Sequence, residues 1–268
     1  MRMIGHVAVS VFKESVRDKV LYNLVAFAVL LIAVSYLLGQ LTAGQDVKII
    51  KDLGLAAIAT FGLFIAVFIG IGLVWKEVDR RSVYSVLSKP IRRSEFILGK
   101  YAGLALTLLV NLSVMTLAFY AVLAYLQAQF PDSVRASWPA PATDPGMLKA
   151  IVLIFVELLL VTAIALFLST FSSPFLSAAL TFGLWIIGHF NADLRNFEAV
   201  VESRPVAYIA RGLYYILPNF AAFDVKTQVV HALPVPAAYV ATTIAYGAVY
   251  TSLLVTAAIL IFSRRDFK

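Results

Sequence analysis

The chain contains no cysteine. That excludes disulfide staples, thiol nucleophiles and iron–sulfur ligation, and it removes redox chemistry as a guide to compartment. Histidine is nearly as scarce, with only His6, His189 and His231 in 268 residues. His189 and His231 could meet on a metal or haem group, but isolated histidines more often serve surfaces and interfaces. Catalytic signatures are also missing. Gly99-Lys100 runs into Tyr101 instead of Ser/Thr and lacks the spaced glycine of a phosphate-binding loop. Neither G-x-S-x-G nor H-E-x-x-H occurs. Charge is thin at 14%, and the longest polar segment, 191–234, is too short for a soluble domain.

Apolar sequence fills the space. The chain is 61% hydrophobic with a mean hydropathy of +0.89, a balance that belongs to polytopic membrane proteins. The expected fold is all-α, one transmembrane domain over 1–268, with spans at about 21–38, 53–75, 101–126, 148–168, 175–190 and 236–262. The second run carries no charge, and 23 residues at 1.5 Å each cross the ~30 Å hydrocarbon core with some tilt. The polar stretch 39–52 reads as a connection. Residues 130–146 hold four prolines and read as a surface loop. Before the first span, Ile4, Val7, Ala8, Val11, Phe12 and Val16 recur at helical spacing within 2–19, with Arg2, Lys13, Glu14 and Arg17 opposite. Such a helix lies in the headgroup region. The first apolar run follows this segment without an A-x-A site, so it reads as a retained anchor.

The net charge of +7 does not point to nucleic acid, because Lys and Arg sit at span ends. Six spans put both termini on one side. With that side inside, 14 of the 22 Lys/Arg are cytoplasmic and 8 are outside. Seven of the 14 crowd into the loop 76–100, against the acids Glu77, Asp79 and Glu95. Within it, Lys76 to Leu87 reads as a short helix bearing Val83, Val86 and Leu87 on one side. Lys89-Pro90 ends it, since the residue before proline leaves the helical region. Ser94 and Glu95 then start the next helix. The loop is either a solvated positive-inside determinant or a docking surface for a cytoplasmic partner.

Two further features stand inside the spans. Gly62, Ala66 and Gly70 repeat every fourth residue, a face that admits close helix approach, although glycine is common in membrane helices anyway. Asn111 and Glu157 are buried polar candidates for a substrate or ion pathway. A carboxylate in mid-membrane costs roughly 2.5–3.5 kcal/mol, so Glu157 should face protein or water. It would serve as a relay, or as a structural group bonded to Asn111, Ser113 or Thr162.

The order of parts resembles the membrane subunit of a type-2 ABC exporter. Glu77, Arg80-Arg81-Ser82, Leu87-Ser88-Lys89-Pro90, Arg93, Glu95-Phe96 and Gly99-Lys100 are similar to that family's cytoplasmic signature. Ser169-Thr170 with Ser173-Pro174 resembles its second cytoplasmic turn, and Leu217 to Phe220 with Phe223-Asp224 its outer segment. The nearest branch is the permease of multicopper-enzyme maturation and nitrous-oxide reductase assembly, with Arg81-Ser82 where many relatives have Gly-Thr. The resemblance implies a multi-pass protein of the prokaryotic cytoplasmic membrane with both ends inside. It implies a pair of permeases, this chain with a second copy or a similar one, on two ATP-binding subunits that carry ATP and Mg. This chain would then need no cofactor, metal or catalytic residue of its own. The ATPase-docking residues would be Glu77, Arg81, Val83, Leu87, Ser88, Lys89, Pro90, Arg92 and Arg93, with Ser169, Ser173 and Pro174 in the second turn. Two other readings are an ion- or proton-coupled carrier using Glu157, and a non-transporting anchor or mechanical transducer of the same fold. Four scattered methionines make a poor copper path.

Overall fold

A computed structural model describes residues 2–41, 46–79, 92–190, 208, 211, 212 and 214–264. All regular structure among them is helical. The chain begins with α1 (Arg2–Val16) and α2 (Lys19–Gln40), joined by a tight corner where the Asp18 carboxylate accepts from the Val20 N–H at 3.0 Å. That satisfies one of the N–H groups that every helix start leaves open. Next come α3 (Asp46–Asp79) and α4 (Arg93–Gln129). A four-residue turn of helix, α5 (Asp132–Arg135), precedes α6 (Met147–Ser169) and α7 (Pro174–His189). A 3-10 turn at Phe220–Phe223 and the short α8 (Lys226–Val230) lead into α9 (Ala237–Arg264).

Five of these helices, α2, α3, α4, α6 and α9, are long and apolar enough to cross a membrane. The 16 residues of α7 rise about 24 Å, short of the ~30 Å core. The most apolar helix, α6, is also the most enclosed, and α3, α4, α7 and α9 pack around it. One face of α3 is buried through Leu55, Ile58, Ile65 and Ala66. By contrast α2 and α9 turn large apolar side chains outward, among them Phe27, Leu30, Leu37, Val249, Leu253 and Leu260. Outward apolar side chains are what lipid contact requires.

Two connections fold back onto the bundle instead of leaving it. The sequence places a connection at 39–52, yet α3 begins at Asp46 and takes Lys48, Lys51 and Asp52 into its first turns. Lys51 is 2% exposed, and its Nζ donates to the Pro141 carbonyl at 2.9 Å. A buried ammonium needs such an acceptor. The proline-rich loop therefore lies across the start of α3. The Tyr120 hydroxyl donates to the Asp144 carbonyl at 3.1 Å, and Phe130 meets Trp138 edge-on, which holds the loop from the α4 side. Residues 217–235 do the same over α3, α6 and α7, burying Phe220, Phe223, Val225, Val229 and Val230. Lys149 ties this stretch to α6 through the Val235 carbonyl at 2.7 Å.

The amphipathic N-terminal helix ends at Val16 and lies along the start of α4. Gly99 and Gly103 make the groove. A Cβ on Gly103 would stand 2.7 Å from both the Ala8 carbonyl oxygen and Val11 Cβ, so only glycine permits this approach. Val11, Ile97, Leu104, Leu166, Val255 and Phe262 then form a separate small core where α1, α4, α6 and α9 converge.

Candidate functional site

The basic loop enters and leaves on long helices. Lys76 to Asp79 continue α3 without a break, and α4 resumes at Arg93. The helix start expected at Ser94 is one residue early, with Arg92 in the cap position. There the Arg92 N–H reaches the Glu95 carboxylate at 3.4 Å, so Glu95 does cover the first turn. Arg81, Val83, Leu87, Ser88, Lys89 and Pro90, and the side chain of Glu77, lie outside the described residues. Arg92 is exposed. Arg93 instead turns inward, and its Nη1 donates to the carbonyls of Phe262 at 3.3 Å and Ser263 at 2.8 Å. Those are last-turn carbonyls of α9, the negative end of that helix, where a cation is favoured. Phe96 stacks on Phe262 at 5.8 Å, and the buried Lys100 ammonium sits 4.7 Å from the centre of the Phe96 ring.

The second turn is built at the same end. Ser169, Thr170 and Ser172 send their hydroxyls back to the carbonyls of Leu166, Phe167 and Leu168, closing α6. Ser173 Oγ accepts from the Leu176 N–H, and Pro174 takes the first helical position of α7. The turn is rigid, and it holds out two rings: Phe171 is 50% exposed and Phe175 84%. Neither was singled out in the sequence, although phenylalanines flanking a Ser-Ser-Pro turn are a visible signal.

Gly62, Ala66 and Gly70 all lie on the α3 face toward α6. A Cβ on Gly62 would come 2.5 Å from Leu158 Cδ1, and one on Gly70 2.8 Å from Ala165 Cβ, while Ala66 is fully buried.

Deeper in the bundle, Asn111 and Glu157 are both 7% exposed but do not bond each other. The Asn111 amide donates to the Thr107 carbonyl of its own helix at 2.7 Å. Thr162 and Ser113 likewise bond carbonyls four residues back. The partners expected for Glu157 are thus already committed. Its Oε1 instead accepts from Trp185 Nε1 at 2.7 Å, with His189 Nε2 3.7 Å away. His189 Nδ1 donates to the Trp185 carbonyl at 3.0 Å, and its ring stacks on Phe220 at 5.8 Å and 12°. Glu157 therefore joins α6, α7 and the folded-back segment. His189 is held here, while His231 is exposed just past α8, and no group of three or more metal-ligating side chains occurs among the described residues.

This arrangement separates two roles by mutation. Glu157→Gln keeps an acceptor for the Trp185 N–H and is expected to change stability by less than ~1 kcal/mol. Glu157→Leu strands that donor, at a cost of about 1–3 kcal/mol. Melting temperatures in detergent measure both, and equal losses would remove the hydrogen bond as the reason for the carboxylate.

No curated protein gives a significant match to the chain. The family model described as ABC-2 family transporter protein matches residues 6–267, nearly the whole chain. With its several apolar spanning helices, the chain is a multi-pass membrane protein and belongs to the ABC-2 transporter family, as a permease component that is not itself catalytic and that associates with an ATP-binding subunit.

Proposed function

We propose that this chain is the permease half of an exporter of the prokaryotic cytoplasmic membrane, six-spanning, with α7 as the short fifth span and both ends inside. Two copies, or this chain and a similar one, pair with two ATP-binding subunits. The nearest branch is the one for multicopper-enzyme maturation. The observation that carries the reading is the length of α3. Its 34 residues rise about 51 Å, and past the apolar run 53–75 the residues Lys76–Asp79 carry the same helix about 6 Å into the basic loop. A helix that continues unbroken into the basic loop transmits a displacement, where a flexible linker would absorb it. Arg93 extends the path, because it links the start of α4 to the end of α9.

In this reading Glu77, Arg81, Val83, Leu87, Ser88, Lys89, Pro90 and Arg92 seat in the ATPase, and the Ser169, Ser173 and Pro174 turn makes the second contact. Phe171 and Phe175 supply apolar anchors that the sequence reading lacked; exposed aromatic side chains are frequent centres of interface energy. ATP-driven closure of the partner then moves both elements and switches access to the cavity between the permeases. The single acid Glu157, bonded to a neutral indole, supports a structural part better than an ion-coupled carrier.

Arg93 is unsuitable for testing docking, since reversing it would also break the contact with α9. The variant Lys89→Glu/Arg92→Glu avoids this. It is expected to cut recovery of the ATP-binding subunit with the detergent-solubilised permease by at least about tenfold, which needs only ~1.4 kcal/mol. Phe175→Asp should do the same. Undiminished co-purification of both variants overturns the docking assignment.

A further inference from the structure

Two acceptors meet at the contact between α6 and α7. His189 Nδ1 lies 3.0 Å from the Trp185 carbonyl oxygen. A carbonyl can only accept, so Nδ1 carries the ring proton. A neutral imidazole has a single N–H, which leaves Nε2 as a bare lone pair. That nitrogen stands 3.7 Å from Glu157 Oε1, the oxygen that already takes the Trp185 N–H at 2.7 Å. Two acceptors this close, with no proton between them, repel. Both side chains are largely out of water, so solvent screens the repulsion poorly.

The surroundings do not supply the missing donor. Among the described residues, the other charged groups that act electrostatically on both Glu157 and His189 are Asp224 and Lys226 of the folded-back segment. These two pair with each other at 3.4 Å, and their effects on the site oppose. From α3, Phe64 meets Phe182 of α7. From α9, the Tyr246 phenol reaches Phe223, and a phenol is ordinarily neutral below about pH 10.

One proton completes the contact. On Nε2 it makes an imidazolium that donates to the carboxylate, a bond roughly twice as strong as a neutral one. On the carboxyl group it makes an O–H that donates to Nε2. Both forms hold one proton between two side chains, so the titration belongs to the pair. The same ring lies face to face with Phe220, at 5.8 Å and 12°. A ring steadied by Glu157 keeps that stack, and a cationic ring gains further from the aromatic face. We infer that Glu157 and His189 form a binding site for one shared proton, and that this proton fastens the folded-back segment to α6 and α7. The proton has a way in, since 24% of the His189 side chain is exposed. It holds the fold and is not carried across the membrane, so its test needs no ATP-binding subunit.

His6 and His231 are both exposed, so His6→Gln with His231→Gln leaves His189 as the sole histidine. This chain, labelled with nitrogen-15 histidine in lipid nanodiscs, is titrated by NMR from about pH 8.5 to about pH 6, the range in which histidine serves as a switch. Nδ1 is expected to hold its proton throughout, while Nε2 starts bare and gains a proton or a hydrogen bond. Over the same range the hydrogen-exchange protection of 217–230, corrected for the intrinsic rate at each pH, should rise about tenfold. Glu157→Gln, which keeps the acceptor for Trp185, should lose that rise. His189→Phe, which keeps a ring on Phe220, should lose it too. A proton on Nε2 at the alkaline end overturns the inference, as does an Nε2 that stays bare down to pH 6. Protection that stays flat while Nε2 titrates, or that rises equally in both variants, overturns it as well.

Discussion

Phe220→Ala is expected to release the folded-back segment from the bundle. Phe220 is fully buried between Gly188, His189 and Phe223. The ring lies directly against Gly188, whose missing side chain makes the space. Removing a buried phenyl group costs about 3–5 kcal/mol, through lost contact and the cavity left behind. The rest of the stretch is held by its own buried side chains, Phe223, Val225, Val229 and Val230, and not by residues of α3 or α6 that the substitution alters. The Tyr239 hydroxyl donates to the Ala222 carbonyl at 2.7 Å, and Lys149 holds Val235 at the far end. The loss should therefore be local. Hydrogen exchange should accelerate across 217–230 by about a hundredfold or more, with α3 and α6 unchanged. Uniform protection throughout would show that the segment is held by other means.

Gly103→Leu is expected to pry α1 off α4. The obstacle is the Ala8 carbonyl oxygen, 2.7 Å from the new Cβ, and backbone cannot rotate aside as a side-chain tip can. Overpacking of this kind costs about 1–3 kcal/mol, and the leucine branches add to it. A 15-residue helix has little intrinsic stability with which to resist. The absence of cysteine gives a clean measurement. A Val11→Cys reporter, at a site 5% exposed, would be the sole thiol in the chain. Its maleimide labelling should rise at least about tenfold when Gly103→Leu is added. An unchanged rate would mean that α1 slides without detaching.

The long apolar helices were legible because hydropathy over some 20 residues is a summed signal, and single exceptions do not erase it. The start of α3 was not, because Lys48, Lys51 and Asp52 read as solvent-facing. Burial of Lys51 depends on a carbonyl 90 positions away, which no local pattern encodes. Glu157 stood out as a lone acid, but its partner did not. Asn111, Ser113 and Thr162 looked available, yet such side chains in membrane helices commonly bond the preceding turn. Trp185 and His189, four apart on the neighbouring helix, were the better clue.

The seat of α1 on Gly99 and Gly103 also sets an order of events during synthesis. The helix is complete at Val16, but its groove is not made until roughly 90 residues later. At about 5–20 residues per second, the ribosome takes some 5–20 s to supply it. Throughout that wait Val7 and Val11 have no protein to cover them. A helix with one apolar and one charged face can rest on the bilayer surface meanwhile. The amphipathic pattern thus serves the nascent chain first and the finished bundle second.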